Sequence, residues 1–208
     1  MKIIRPSVEL LSNPNGEEIL RLIEKAGRVC YKSEGNITDQ SAEKFIAQIL
    51  SRGHESVIEH ASVSTRIVCD RGVTHEIVRH RIASYSQEST RYCNYSNDKF
   101  GNELTFIEPC FYYDGKEPLR RKIWVKAVER AEAEYLEMVK NGAPPEEARN
   151  ILPNSLKTEI IMTANMRAWR HFFKLRLSNK AHPQMREVAY LLLNVFKAEI
   201  PLLFDDFT

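Results

Sequence analysis

Apolar residues recur at helical spacing in several long stretches of the chain and alternate with polar ones in only a few short stretches. The pattern predicts mostly helix, with a small sheet. After Asn15, whose side chain suits an N-cap, Ile19, Leu20, Leu22 and Ile23 lead to Gly27, expected to end the helix in a left-handed residue. A second helix opens at Ser41, carries Phe45, Ile46, Ile49 and Leu50, and stops at Gly53. His54-Glu55-Ser56 then reads as a turn. From Ser62 to Cys69, Val63, Thr65, Ile67 and Cys69 alternate with Ser62, Ser64 and Arg66, the signature of a half-buried strand. Asp70 caps the next helix, through Val73, Ile77 and Val78, which ends near Arg79-His80-Arg81 and spills into a polar loop.

Leu104 to Ile107 reads as a short strand, and Pro118 opens a long helix that continues to about Lys140, before Gly142 and the Pro144-Pro145 pair. Leu156 to Thr163 is β-rich. Asn165 caps a helix to about Leu177, and His182-Pro183 opens a last one through Val188, Leu191, Leu192, Val195 and Phe196. The segments at 94–101 and 114–117 read as surface loops, with neither internal repeat nor interdomain linker. The expectation is a single helix-rich α+β domain over residues 1–208 with a small, mostly antiparallel sheet.

A chain of 208 residues can bury roughly 70% of its unfolded surface and build a proper core. Thirty Lys and Arg against 28 Asp and Glu leave a net charge of +2, too weak for a protein that coats nucleic acid. The N-terminus lacks a long apolar h-region, and the apolar runs fall well short of the ~20 residues of a membrane span, so a cytoplasmic, membrane-free protein is expected. Cys30, Cys69, Cys93 and Cys110 form no C-x-x-C pair and read as free thiols.

Within this near-neutral balance, Arg79, His80, Arg81, Ser89 and Arg91 crowd into one short stretch. Guanidinium forks bind phosphate or carboxylate bidentately, so arginines converging beside a serine would grip an anion and orient the rest of its molecule. The competing reading is a solvated basic face, but the polar run after the triplet offers fewer acidic partners than usually neutralise one. No two glycines sit closely enough for a G-x-G-x-x-G or P-loop cradle, so any nucleotide must be held by side chains. His54 to His60 and His75 to His80 miss the H-E-x-x-H spacing that puts two imidazoles on one helix face, and no metal is expected. A nucleophile elbow, G-x-S-x-G, is absent too.

On the helix after Asn165, Trp169, Phe172, Phe173 and Arg176 fall at 0, +3, +4 and +7, so an arginine shares the aromatic face. Either its stem packs while its head reaches water, or it is a cation at the wall of an apolar pocket. Arg167 and His171, at i and i+4, share another face.

Arg79-His80-Arg81, seven residues, then Ser89 resembles the signature of the flavin-dependent thymidylate synthases. The resemblance extends through Gly53-His54-Glu55-Ser56 with Glu59-His60, Arg149 before Leu152-Pro153, and Asn165-x-Arg167 to Arg176. It implies methylation of dUMP to dTMP with methylenetetrahydrofolate as one-carbon donor and FAD as redox carrier, reduced by NADPH or NADH. It also implies a homotetramer with sites between subunits. For dUMP it implies Arg79, Ser89, Arg91 and Arg149 at phosphate and sugar, Glu76, Gln87 and Glu88 around base or ribose, Thr90 as a further contact, and catalytic Arg176 at the uracil edge. For FAD it implies Ser56, Arg79, His80, Arg81, Gln87, Asn165, Arg167 and His171, with His54 nearby.

Three positions depart from the commoner family pattern: Glu76 stands where Gln is frequent, Thr90 where Gly is frequent, and His171 where Asn also occurs. Ser89 has no base placed beside it by sequence and reads as a binding hydroxyl. A single-strand nucleic-acid module using Tyr85, Arg91, Tyr92 and Tyr95 would explain the basic stripe but not the C-terminal matches.

Overall fold

The structure is a computed structural model that describes residues 1–11 and 15–208. In chain order it comprises β1 (Lys2–Ile4), β2 (Ser7–Leu10), α1 (Gly16–Val29), α2 (Ser41–Ser51), β3 (Ser62–Asp70), α3 (Arg71–Ile77) and β4 (Ser84–Gln87). There follow β5 (Thr105–Ile107), α4 (Pro118–Lys140), α5 (Pro145–Ala148), β6 (Lys157–Asn165), α6 (Met166–Arg176), α7 (Pro183–Glu199) and α8 (Pro201–Phe204). A four-stranded, mostly antiparallel sheet has the order β2-β3-β6-β4. Strands β1 and β5 pair in parallel, with Ile3 opposite Phe106. The α+β, helix-rich expectation holds.

Contacts divide the chain into two units, both discontinuous in sequence. One comprises Met1–Ser7, Ile67–Arg79 and Ser86–Ile160; the other comprises Val8–Arg66, His80–Tyr85 and Ile161–Thr208. Strands β3, β4 and β6 each begin in one unit and end in the other. The first unit packs Leu104, Phe106, Val128, Tyr135, Ala148 and Leu156 into its core. In the second, Trp169, Phe172, Phe173, Phe196 and Phe204 are wholly buried, with neighbouring rings mostly edge-on or tilted. Trp169 Nε1 donates to the Val63 carbonyl at 3.2 Å, so the largest side chain of this core also satisfies its polar atom. Truncating any of these rings to alanine costs about 3–5 kcal/mol.

The helix starts follow the capping chemistry. Asn15 Oδ1 accepts from the Glu17 amide at 3.1 Å, Asp70 Oδ1 from Val73 at 2.8 Å, and Asn165 Oδ1 from Ala168 at 2.8 Å. Gly53 and Gly142 take positive φ just past α2 and α4, as the helix-stop reading requires.

Two expectations are corrected. Gly27 lies inside α1, which runs on to Val29; a Cβ there would stand 2.5 Å from the Phe45 ring, so this glycine serves close approach and not termination. The polar loop after the triplet contains strand β4, in which Tyr85 and Gln87 are half-buried while Ser84 and Ser86 are exposed. That alternation is polar throughout and invisible to a hydrophobic pattern. Strands β1 and β2, at three and four residues, are too short to leave a period. Among the described residues, no helix is long and apolar enough to cross a membrane.

Candidate active site

The first unit gathers most of the residues expected to meet the nucleotide. Helix α3 ends at Ile77, and the Arg79 amide donates to the Glu76 carbonyl at 3.3 Å, so the triplet starts in the turn that closes the helix. Glu76 is half-buried and Arg79 exposed. On β4, Gln87 Nε2 donates to Thr74 Oγ1 at 3.0 Å and Thr158 Oγ1 at 3.2 Å, both on buried residues. The Thr74 hydroxyl gives its own proton to the Arg71 carbonyl at 2.9 Å, so its oxygen accepts from Gln87. This fixes the amide orientation, with the Gln87 carbonyl at the opposite end from the threonines.

The residues that follow make one local and one long-range contact. Ser89 Oγ accepts from the Arg91 amide at 3.3 Å, and the buried Thr90 accepts at Oγ1 from Arg149 Nη1 at 3.4 Å, across 59 positions of sequence. Arg91 Nε lies 3.8 Å from Glu146 Oε2, with both side chains more than half exposed, a pair too weak to hold the guanidinium against a bound anion. Glu88 is held by its own partners. Its carboxylate receives Lys157 Nζ at 3.0 Å and Tyr95 Oη at 2.9 Å, while Lys157 also lies 2.5 Å from Glu159. Burial pulls the lysine's pKa down, but the Glu159 and Glu88 contacts outweigh it and raise it above the ordinary value.

The second unit holds the remaining candidates. Arg176, half-buried at the C-terminal end of α6, donates from Nε to His80 Nε2 at 2.9 Å. The His80 ring packs on Phe172 at a centroid distance of 4.9 Å and lies 6.1 Å from the His171 ring. Burial first, then the Arg176 charge and His171, pull its pKa down to about 4. Tyr85 Oη donates to the His80 carbonyl at 2.6 Å, and burial pushes the tyrosine's pKa up to about 12 against the opposing Arg176 charge. His80, His171 and Arg176 therefore converge.

Asn165 and Arg167 sit at the other end of α6, with Arg167 about 14 Å along the axis from Arg176. Asn165 Oδ1 is spent on the helix cap, which leaves its amide nitrogen as the donor. Arg167 Nη1 lies 2.6 Å from Glu59 Oε1, and Glu55 sits between Arg167 and Arg170 at 3.8 Å and 3.6 Å. His54, Ser56 and Arg81 are exposed, the first two at the start of the 3-10 turn Glu55–His60. Among the described residues, no three His, Cys, Asp or Glu side chains converge as a metal set.

Comparison with known proteins bears on this geometry. Residues 9–202 match the family model described as thymidylate synthase complementing protein, Thy1. A flavin-dependent thymidylate synthase of Pyrococcus furiosus is 39% identical over 173 residues, covering 83% of this chain and 69% of that protein. The chain belongs to the flavin-dependent thymidylate synthases. It is an enzyme of that family. Family members from Geobacter sulfurreducens and Mycolicibacterium gilvum are 37% and 34% identical, covering 87% and 97% of this chain and 78% and 84% of theirs. In fold, the chain is similar to the UMP/dUMP methylase PolB of Streptomyces cacaoi, solved with 5-Br dUMP, at a TM-score of 0.80 and 22% identity. That similarity covers 99% of this chain and 96% of the methylase.

Several side chains to which the sequence assigned no site role hold the candidate residues. Thr74 and Thr158 hold Gln87, Lys157 holds Glu88, Tyr85 holds the backbone at His80, and Glu55 and Glu59 hold Arg167. The Glu55–Glu59 spacing of four was the one local signal; their partner Arg167 lies 108 positions beyond Glu59, and the other pairings also join distant or non-periodic positions.

Proposed function

We propose that the protein methylates dUMP at C5 to dTMP, taking the one-carbon unit from methylenetetrahydrofolate, with FAD as hydride carrier and NADPH or NADH as reductant. The observation that carries this reading is the contact of Arg149 with Thr90, which stands between Ser89 and Arg91 in the chain, in a member of this family. Two guanidiniums and two hydroxyls form a donor set suited to a phosphate dianion, and Arg79 adds a third cation. The Gln87 carbonyl, with its nitrogen occupied by Thr74 and Thr158, is the acceptor offered to base or ribose. Glu76 is a second polar group for that region. Glu88, through Lys157 and Tyr95, anchors the segment that ends in Ser89.

The donor chemistry of the second unit fits a flavin dinucleotide. Arg81 and Arg167 offer charge for a diphosphate, Ser56 a hydroxyl, Asn165 an amide, and His54, His80 and His171 imidazoles. The family resemblance also implies Arg79 and Gln87 for this cofactor. Holding by side chains agrees with the absence of a glycine-rich cradle in the sequence. When bound, FAD supplies the hydride chemistry, and NADPH or NADH restores it. Arg176 meets the uracil edge and stabilises the negative charge that develops as C5 becomes nucleophilic; Phe172, packed on its partner His80, helps exclude water and strengthens that interaction.

We further take residues 1–208 as one catalytic domain that works as a homotetramer with sites between subunits. Ile82 and Tyr92, each 78% exposed, flank the two ends of the proposed ligand-binding segment, where uncovered apolar bulk favours a partner chain. The test is conversion of dUMP to dTMP that depends jointly on FAD, methylenetetrahydrofolate and reduced nicotinamide, with a yellow chromophore perturbed by dUMP. Absence of dTMP under those conditions refutes the reading.

A further inference from the structure

The RHR triplet places its middle residue where a cofactor contact alone does not account for its geometry. An arginine keeps its proton at every accessible pH, so the 2.9 Å approach of Arg176 Nε to His80 Nε2 requires a lone pair on that imidazole nitrogen. The proton of the neutral ring is then on Nδ1. Burial, Arg176 and His171 hold the ring in this acceptor form through the neutral range.

The acceptor is also immobilised. Phe172 packs on the ring at 4.9 Å, and Tyr85, on β4, fixes the His80 carbonyl through a 2.6 Å hydrogen bond. Arg176 is engaged through its inner nitrogen, Nε. Because a guanidinium is planar and rigid, fixing Nε sets the plane and direction of the outer Nη1 and Nη2 fork.

We propose that His80 is a positioning residue for Arg176, a neutral acceptor, latched by Tyr85 and Phe172, that orients the guanidinium for the reacting pyrimidine. This rests on the Arg176 role proposed above. It assigns Tyr85 a function through its hydroxyl, and it gives the triplet's histidine a different task from its two arginines: holding another cation and not an anion.

The flavin-loaded enzyme carrying His80→Leu, His80→Gln, Arg176→Ala or the double change H80L/R176A separates the alternatives. Gln places an oxygen near the position of Nε2; Leu has similar bulk and no acceptor. H80L is expected to lower kcat roughly 10–100-fold, with the KM for dUMP within about 2-fold of the parent, since loss of orientation acts on the reacting step. H80Q should recover at least about 10-fold of that loss, and H80L/R176A should turn over no more slowly than R176A alone, within about 2-fold. An independent readout uses nitrogen-15 labelled histidine, since the chain has only six. At neutral pH, His80 Nε2 should give the signal of an unprotonated ring nitrogen, and its titration midpoint should rise when Arg176 is removed.

A fully active R176A overturns the Arg176 assignment on which the inference rests. An impaired R176A with equal H80Q and H80L, or with losses that multiply in the double variant, overturns the inference alone. A protonated Nε2 at neutral pH also overturns it, and this needs only the parent protein should the H80L chain fail to fold.

Discussion

Replacing Lys157 with methionine removes one cation from between two carboxylates. Glu88 and Glu159 lie 3.0 Å and 2.5 Å from its ammonium, with side-chain exposures of 14% and 32% against 19% for the lysine. At 3.0 Å, a unit charge pair is worth roughly 5 kcal/mol at an effective dielectric of about 20 and about 1.4 kcal/mol in bulk water. Desolvation offsets part of that attraction in the parent, but the variant retains the desolvated carboxylates without their counter-ion, and close enough to repel each other. The expected loss is about 2–4 kcal/mol, the lower part of the range for breaking a buried pair because all three groups keep some solvent. Methionine itself fills the lysine stem's volume, so little of this is packing. Urea unfolding followed by circular dichroism reads the loss as a lower midpoint at unchanged slope. Two controls sharpen it. The triple change K157M/E88Q/E159Q, with no net charge left and Tyr95 still able to donate, should return to within about 1 kcal/mol of the parent. Because the lysine's folded pKa is raised above 10.5, its stabilisation is complete at neutral pH and fades as pH rises through the raised value, so parent and K157M should converge only in strong alkali. A K157M loss below about 0.5 kcal/mol, or a triple variant as unstable as K157M, refutes the ion cluster as the anchor of the Glu88–Ser89 segment.

Arg91→Ala should raise the KM for dUMP at least about 10-fold with a smaller effect on kcat, whereas Arg176→Ala should lower kcat with a smaller effect on nucleotide affinity; steady-state kinetics showing the reverse would overturn both role assignments. Stability should also fall as pH drops from about 6.5 toward 4, because the unfolded chain binds a proton at His80 that the folded chain refuses down to about pH 4. Allowing for screening of a half-buried ring, that limb amounts to about 1–2 kcal/mol, and it should flatten in H80Q when melting is followed across the window. Changing all four cysteines, with alanine at buried Cys69 and serine at the others, should leave turnover largely intact. Burial pushes the Cys69 and Cys93 thiols up, away from the nucleophilic thiolate. A folded, flavin-loaded variant that had lost all turnover would show that a thiol takes part.

The order of helices was legible because each signal is local. A cap or a first-turn proline lies within the same stretch of chain as the helix it starts, as at Asp70, at Asn165 and at Pro118. The RHR-to-Ser spacing, too, is a linear pattern, and it led directly to the family. Strand β4 escaped because what it buries, Gln87 against Thr74 and Thr158, is polar, and a hydrophobic period cannot register hydrogen bonds to residues 13 and 71 positions away. For the same reason Gly27 was misread as a stop: its need for no side chain comes from Phe45, on another helix.

By itself the sequence determined which cations and hydroxyls the enzyme possesses, and which helices carry them. Only the tertiary structure decided how they are paired. It joined Arg149 to Thr90, gave Glu88 to Lys157 and Arg167 to Glu59, and set Arg176 against His80 Nε2. Charge and hydrogen-bonding capacity belong to residue types and can be read along a line. Whether a group faces an anion, a counter-ion or another donor depends on separations of a few ångström, and those are set by packing between segments far apart in the chain.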